Sequence, residues 1–199
     1  MKNSLRIISL VMTVLCLLVS SAFAVTPTAY VKGILDQVIA IQNDPAKSGP
    51  EHRAVRAQAI RQVIRKNFDF SLMARSSLGA VYDRLSSGQR QEFVATFSSL
   101  FQDSYTRLVL DFLKKETITY DQERKEGKGA RVNTKMIRTN ETIPVDYLIR
   151  PQGQEWLLYD VIVDGVSILD NYQRQFAQVI RTNSFEFLLN KMKTQARAL

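Results

Sequence analysis

The sequence predicts an α+β fold in which helices pack on a curved, four-stranded antiparallel sheet, and three observations lead there. Apolar residues recur at three- and four-residue spacing between Pro27 and Phe112. Strand-like runs follow at about 117–123, 130–139, 142–150 and 155–163, and the turn-like stretches between them are short enough to imply an antiparallel meander. After Asp164-Gly165 the period changes back to that of a helix. A chain of 199 residues needs only one core, so residues 25–199 are expected to form a single domain.

Residues 1–24 are set apart. Lys2 and Arg6 precede the apolar run Ile7 to Val19, and Ala22-Phe23-Ala24 has the small-x-small pattern of a secretory signal peptide. The run is too short to serve comfortably as a stable membrane anchor. Cys16, the only cysteine, lies within it, so a processed chain would carry no thiol.

Thr26-Pro27 can cap and start the first helix, whose apolar stripe is Val31, Ile34, Leu35, Val38 and Ile41. Asp44 to Pro50 stops it. A second helix runs to about Lys66, with Val55, Ile60, Val63 and Ile64 inward. Asp69 is placed to cap a short helix that ends at Gly79. Ser86 and Gln89 have capping-box spacing and open the longest helix, which reaches Phe112 or Lys114. Phe93, Phe97, Leu100, Phe101, Tyr105, Leu108 and Phe112 share one side of it. An aromatic stripe of this kind suits either a filled core or a cavity wall.

In the third strand Ile143, Val145, Tyr147 and Ile149 alternate with Asp146 and Arg150, and Pro144 predicts an edge position or a bulge. Arg150-Pro151-Gln152-Gly153 reads as the turn before the fourth strand. That strand, Trp156 to Val163, is apolar on both faces and should be covered more completely than its neighbours. Ser167, three residues before Asp170, is spaced as an N-cap whose partner carboxylate reaches back. Leu169, Tyr172, Phe176 and Val179 then share a helical face. Ser184 caps the last helix, with Phe187, Leu188 and Met192 inward.

The sequence lacks a glycine-rich phosphate loop, a metal-ligand cluster and a nucleophile elbow, and Gly127-Lys128-Gly129 reads as a hairpin turn. His52, the sole histidine, sits in the polar stretch Glu51-His52-Arg53 and reads as a solvated side chain. Zinc sites and triads built on imidazole are therefore hard to assemble. One enzymatic arrangement stays open: Asp160 with Tyr147 or Tyr159 in an apolar pocket could move a proton beside a carbonyl, as ketosteroid-isomerase-like folds do. The plainer alternative is a strand-end carboxylate and packed tyrosines. No catalytic residue, metal or cofactor is expected. The chain has 27 Lys and Arg against 19 Asp and Glu; loss of Lys2 and Arg6 with the leader would leave a formal +6. Such a balance in an exported protein favours anionic lipid or acidic partner surfaces over nucleic acid. Arg53, Arg56, Arg61, Arg65 and Lys66 share one helix and read as a solvated face ahead of a docking patch.

Two blocks carry a resemblance. Tyr159-Asp160-Val161, Asp164-Gly165-Val166-Ser167, Asn171-Tyr172 and Gln175-Phe176 resemble the YDV-x-x-x-GVS and NYR-x-x-F signature of MlaC-type proteins, the toluene-tolerance auxiliary family of periplasmic phospholipid carriers. Gln173 stands where that family usually has Arg, and Asp164 where Glu is commoner. Leu78-Gly79 to Tyr105 is similar to its LG-x-x-W-x-x-LS-x-x-QR-x-x-F-x-x-x-F block, with Tyr82 replacing the Trp. The resemblance spans nearly all of the chain after residue 24.

The resemblance implies a deep apolar cavity between sheet and helices, with bound phospholipid as cargo. The residues assigned to its wall are Val81, Tyr82, Phe97, Phe101, Tyr105, Val145, Tyr147, Ile149, Val161 and Val163. It further implies shuttling of lipid through the periplasm, with transient contacts to two partners. One is an inner-membrane ABC transporter complex with its MCE-domain protein, the other an outer-membrane lipoprotein complex, a route that serves outer-membrane lipid asymmetry. A family relative that handles hopanoids leaves a second lipid class open. Exported material should begin Val25-Thr26-Pro27 on N-terminal sequencing, and an intact Met1 start in a membrane fraction would refute processing.

Overall fold

The computed structural model describes residues 25–113 and 116–197. The expected signal peptide, with Cys16, lies outside the described residues, as does Lys114. Helices come first: α1 (Pro27–Gln42), a 3-10 turn (Pro45–Lys47), α2 (Arg53–Asn67), α3 (Phe70–Leu78), α4 (Ala80–Arg84) and α5 (Ser87–Phe112). The strands are β1 (Thr117–Glu126), β2 (Gly129–Ile137), β3 (Thr142–Gln152), β4 (Glu155–Val163) and β5 (Val166–Ser167), followed by α6 (Ile168–Thr182) and α7 (Phe185–Arg197).

The helix starts follow from their caps. Thr26 Oγ1 accepts from the Ala29 N–H at 3.2 Å, Asp69 Oδ1 from Leu72 at 3.0 Å, and Ser184 Oγ from Phe187 at 3.1 Å. Ser86 and Gln89 close a full capping box at the head of α5. Gly79, at φ 54°, ends α3 and begins α4 in a conformation that an L side chain rarely adopts. Arg90 then ties α4 down: its guanidinium donates to the Tyr82 carbonyl at 3.0 Å and the Asp83 carbonyl at 2.7 Å, and lies over the Tyr82 ring.

The sheet is an antiparallel meander in the order β1-β2-β3-β4-β5, one strand more than expected. The extra strand exists because Asp164 and Gly165 both take positive φ, 50° and 77°, as a two-residue hairpin turn with the strand twist requires. Val166 returns to pair with Val163. Pro144 does not mark an edge, since β3 lies between β2 and β4. Its carbonyl accepts from the Asp164 N–H at 2.9 Å, so its missing N–H faces the point where β4 leaves the sheet. Pro151 belongs to β3, opposite Trp156, and the turn falls at Gly153. β4 is covered along its length, with Glu155 its exposed residue, whereas β3 is buried in its middle and exposed at both ends.

Register sorts the faces. Thr134, Val145 and Val163 align across β2, β3 and β4, as do Val132, Tyr147 and Val161, and Ala130, Ile149 and Leu158. A bulge leaves Tyr159 unpaired, which is how Leu158 and Val161, three apart, come to the same face. The opposite face carries Arg131, which pairs with Glu126 and Asp146 at 3.4 Å each.

The helices cover the apolar face unevenly. α1 packs on β1 and β2, while α2, α3 and α6 reach β4. α5 packs on α2, α3 and α7 but stands off the strands. Its aromatic residues fill the helical side of the core. Phe93, Phe97, Phe101 and Tyr105 follow one another at centroid spacings of 6.1, 6.1 and 5.3 Å, flanked by Phe68, Tyr172 and Phe176. Two expected core residues lie elsewhere. Val55 is 47% exposed and Phe187 is 51% exposed, because each sits one step off the buried stripe of its helix, which runs through Ile60, Val63 and Ile64 in α2 and Leu188 and Met192 in α7.

The N-terminus of α6 differs in detail from the expected capping box. Ser167 Oγ accepts from the Asp170 N–H at 2.9 Å, but the carboxylate that completes the arrangement belongs to Asp160. Asp160 Oδ2 accepts from the Ser167 hydroxyl at 2.6 Å, and Oδ1 accepts from the N–H groups of Leu169 (3.0 Å) and Val161 (2.8 Å). Burial raises the Asp160 carboxyl above its ordinary range, against these three hydrogen bonds, which act to lower it. In urea denaturation Ser167→Ala should therefore cost about 1 kcal/mol. Asp160→Ala, which orphans several donors at once, should cost roughly 3 kcal/mol. Equal costs would show that Asp160 does not anchor the helix.

Candidate functional site

Where α5 overhangs the sheet, a cleft of about 350 Å³ remains. Its sheet wall is Ile118 of β1, Thr134 and Met136 of β2, Ile143, Val145 and Tyr147 of β3, and Val163 of β4. Its helical wall is Tyr105, Leu108, Val109, Phe112 and the C-capping Leu113. Alternation places every second strand residue inward, and the three- and four-residue spacing of α5 does the same from above. Thr134, the polar residue among them, is neutralised: its hydroxyl donates to the Val145 carbonyl at 2.7 Å.

Two phenols sit at the inner end. Tyr105 stacks on Phe101 at an interplanar angle of 15°, and Tyr147 is 9% exposed. Burial, chiefly, holds both hydroxyls above the usual tyrosine range, so each stays neutral. The outer end is marked by Leu108 and Phe112, 40% and 51% exposed. Beside them stands Arg138. Its Nη2 donates to the Phe112 carbonyl at 2.6 Å and its guanidinium lies over the Phe112 ring. Its other nitrogens face Glu116 at 3.3 Å and Glu141 at 3.7 Å.

Of the ten residues assigned to the wall from the sequence, Tyr105, Val145, Tyr147 and Val163 line this cleft. Phe97, Phe101, Ile149 and Val161 do not: they are 2% exposed or less, packed in the closed core behind Tyr105. Val81 and Tyr82 lie on α4, packed against the core's outside. The expected opposition of Phe97 and Phe101 to Val145 and Tyr147 across a ligand is thus replaced by a division. The stripe is core up to Phe101 and wall from Tyr105 onward. Leu108 and Phe112 were visible in the same stripe. Ile118, Met136 and Ile143 needed the strand register, and Arg138 and Glu141 needed the turn that joins β2 to β3.

The candidate proton-transfer set is not assembled. Tyr147 lines the cleft, but Asp160 pairs with Leu148 across the sheet and spends its oxygens on α6, while Tyr159 is the bulged residue. His52 Nδ1 lies 2.8 Å from the Ser48 carbonyl, to which it can only donate, and stands beside Glu51 on the surface. Among the described residues no cluster of His, Cys, Asp or Glu is arranged to hold a metal ion. Nor is any described helix long and apolar enough to cross a membrane.

Comparison with known proteins agrees with this architecture. The solved structure of the phospholipid-binding protein from Ralstonia solanacearum, in complex with a phospholipid, superposes with a TM-score of 0.72. The match has 22% identity over 85% of this chain and 96% of that one, so the two share a fold. The intermembrane phospholipid transport system binding protein MlaC of Haemophilus influenzae is 24% identical over 125 residues, 60% of this chain and 58% of that protein. The toluene tolerance protein ttg2D of Pseudomonas putida is 27% identical over 128 residues, 63% of this chain and 59% of that protein. The matched stretches thus span under three-fifths of those two relatives. The profile described as MlaC protein matches residues 32–194, well over half of the sequence, and the chain belongs to that family.

Proposed function

We propose that this protein is a periplasmic carrier that shelters the acyl chains of a phospholipid between α5 and the sheet and leaves the headgroup at the mouth. The observation that carries the reading is the cleft itself: an apolar interior, two neutral phenols at its closed end and a cation at its open end. The similarity to phospholipid-binding relatives supports the choice of lipid. Delivery between an inner-membrane ABC transporter complex with an MCE-domain protein and an outer-membrane lipoprotein complex is the route that fits such a carrier.

The energetics are workable. Two acyl chains of about thirty methylenes gain roughly 24 kcal/mol on leaving water at about 0.8 kcal/mol each, beyond the usual ceiling for non-covalent affinity. A lipid drawn from a bilayer has tails that are already dry, so exchange into an apolar cleft is nearly balanced. The cleft lies at the small end of the roughly 300–1,000 Å³ common for ligand pockets. Seating two chains therefore requires it to widen, and α5, which stands off the strands, is the wall placed to move.

Val145→Trp tests the reading. Val145 borders the cleft, so an indole there should occupy lipid space at a stability cost below about 1 kcal/mol. Ile149→Trp, at a fully buried core position, should cost roughly 1–3 kcal/mol or more. Mass spectrometry of solvent extracts should find phospholipid in the wild type and little in Val145→Trp. A wild type that yields no lipid, with both variants equally destabilised, would overturn the carrier. A hopanoid in the extract would change its cargo.

A further inference from the structure

We propose that Arg138 is the contact for the lipid's phosphodiester, and that it is held ready for that anion by Glu116 and Glu141. The proposal rests on the carrier reading and names the group that selects the headgroup. Its ground is the way the guanidinium is used. One arm is committed: Nη2 donates to the Phe112 carbonyl at 2.6 Å, at the end of α5, where a cation also suits the helix dipole. The remaining donors are poorly satisfied. Nε is enclosed yet makes no hydrogen bond, and its nearest carboxylate, Glu116, lies at 3.3 Å. Nη1 is 3.7 Å from Glu141, a side chain that is 60% exposed. Such a pair is weak and solvent-screened.

The position is built. The Arg138 N–H donates to the Glu141 carbonyl at 2.8 Å, which closes the turn between β2 and β3, and the guanidinium rests on the Phe112 ring at 5.6 Å. A charged group fixed at the edge of an apolar cleft, with Nη1 held only by an exposed carboxylate 3.7 Å away, can exchange that carboxylate for a phosphate oxygen. Acyl chains lying along Val109, Met136 and Ile143 would bring the phosphate to this height, beside the exposed Leu108 and Phe112. Glu141 then acts as the displaceable placeholder, and Glu116 as the lasting counter-charge.

The test compares two ligands with the same tails on delipidated full-length mature protein: phosphatidylglycerol and diacylglycerol, each offered from neutral vesicles. Wild type should prefer the phospholipid by about tenfold or more, the scale of a charged hydrogen-bonded contact. Arg138→Gln should lose most of that preference and keep diacylglycerol binding. Because Arg138 also holds the end of α5, a second variant guards against misfolding: Glu141→Gln removes the competing anion and should tighten phosphatidylglycerol several-fold without changing diacylglycerol. A preference that survives in a folded Arg138→Gln, or a Glu141→Gln that binds phosphatidylglycerol no better, would overturn the proposal. Equal wild-type binding of both lipids would do so while leaving the carrier intact, whereas binding of neither would sink the carrier itself. Inorganic phosphate in excess should leave the preference standing; phosphate that abolishes it would assign Arg138 to a free anion instead.

Discussion

Everything distinctive about this fold depends on how the last turn of α5 is held. A helix leaves its final carbonyls without internal partners, and the last turn of this one buries Leu110 and Leu113 while Leu108 and Phe112 border the cleft. Two side chains from distant parts of the chain take over. The Gln42 amide, at the end of α1, reaches the carbonyls of Val109, Leu110 and Leu113 at 3.1, 3.3 and 2.8 Å. Arg138, from the turn between β2 and β3, reaches that of Phe112. The helix end is thereby pinned from the helical layer on one side and from the sheet on the other. Tyr105, Leu108 and Phe112 can then overhang the strands without collapsing onto them.

The aromatic column decides how deep the gap runs. Tyr172 and Phe176 of α6 flank Phe93, Phe97 and Phe101 at centroid distances of 5.4 to 6.3 Å, and Phe68 packs on Phe101 at 5.3 Å. Aromatic pairs at these spacings add about 0.5–1.5 kcal/mol each beyond their burial. The column is therefore hard to part, and Tyr105, stacked on its end, forms the floor of the cleft. Below that floor the interior is closed. Above it, the same helical stripe continues without α6 or α3 to cover it, and the apolar side chains face the sheet across open space.

This division explains what could be read from the sequence. Caps and periods were legible because they are local: Thr26, Asp69, Ser86, Ser167 and Ser184 each act within three residues. The meander was legible because its turns are short. The wall was only half legible, because Phe101 and Tyr105 are adjacent members of one stripe and nothing local tells them apart. Their difference comes from Phe70 and Tyr172, whose rings approach Phe101 and not Tyr105, from elements distant in the sequence. Asp160 looked like a candidate acid for a similar reason. Its environment is set by a hairpin turn and a helix start that fold back upon it, and β5, two residues long, is too short to show a period.

For a carrier of the kind proposed, the distribution of polarity matters more than the depth of burial. Tails that move from bilayer to protein exchange one dry environment for another, so a wall of Val, Ile, Met and Leu need only match hydrocarbon. A tighter fit would slow release without improving uptake. Discrimination has to come from the part of the lipid whose surroundings change, and that is the headgroup region. The structure places a strongly directional cation, Arg138, at that level, on a turn fixed by a backbone hydrogen bond, with a loosely held carboxylate in reach. Neutral phenols at the far end add no charge to repel or trap a chain terminus. On the proposed reading affinity and selectivity belong to different parts of one cleft, so either could be altered without rebuilding the other.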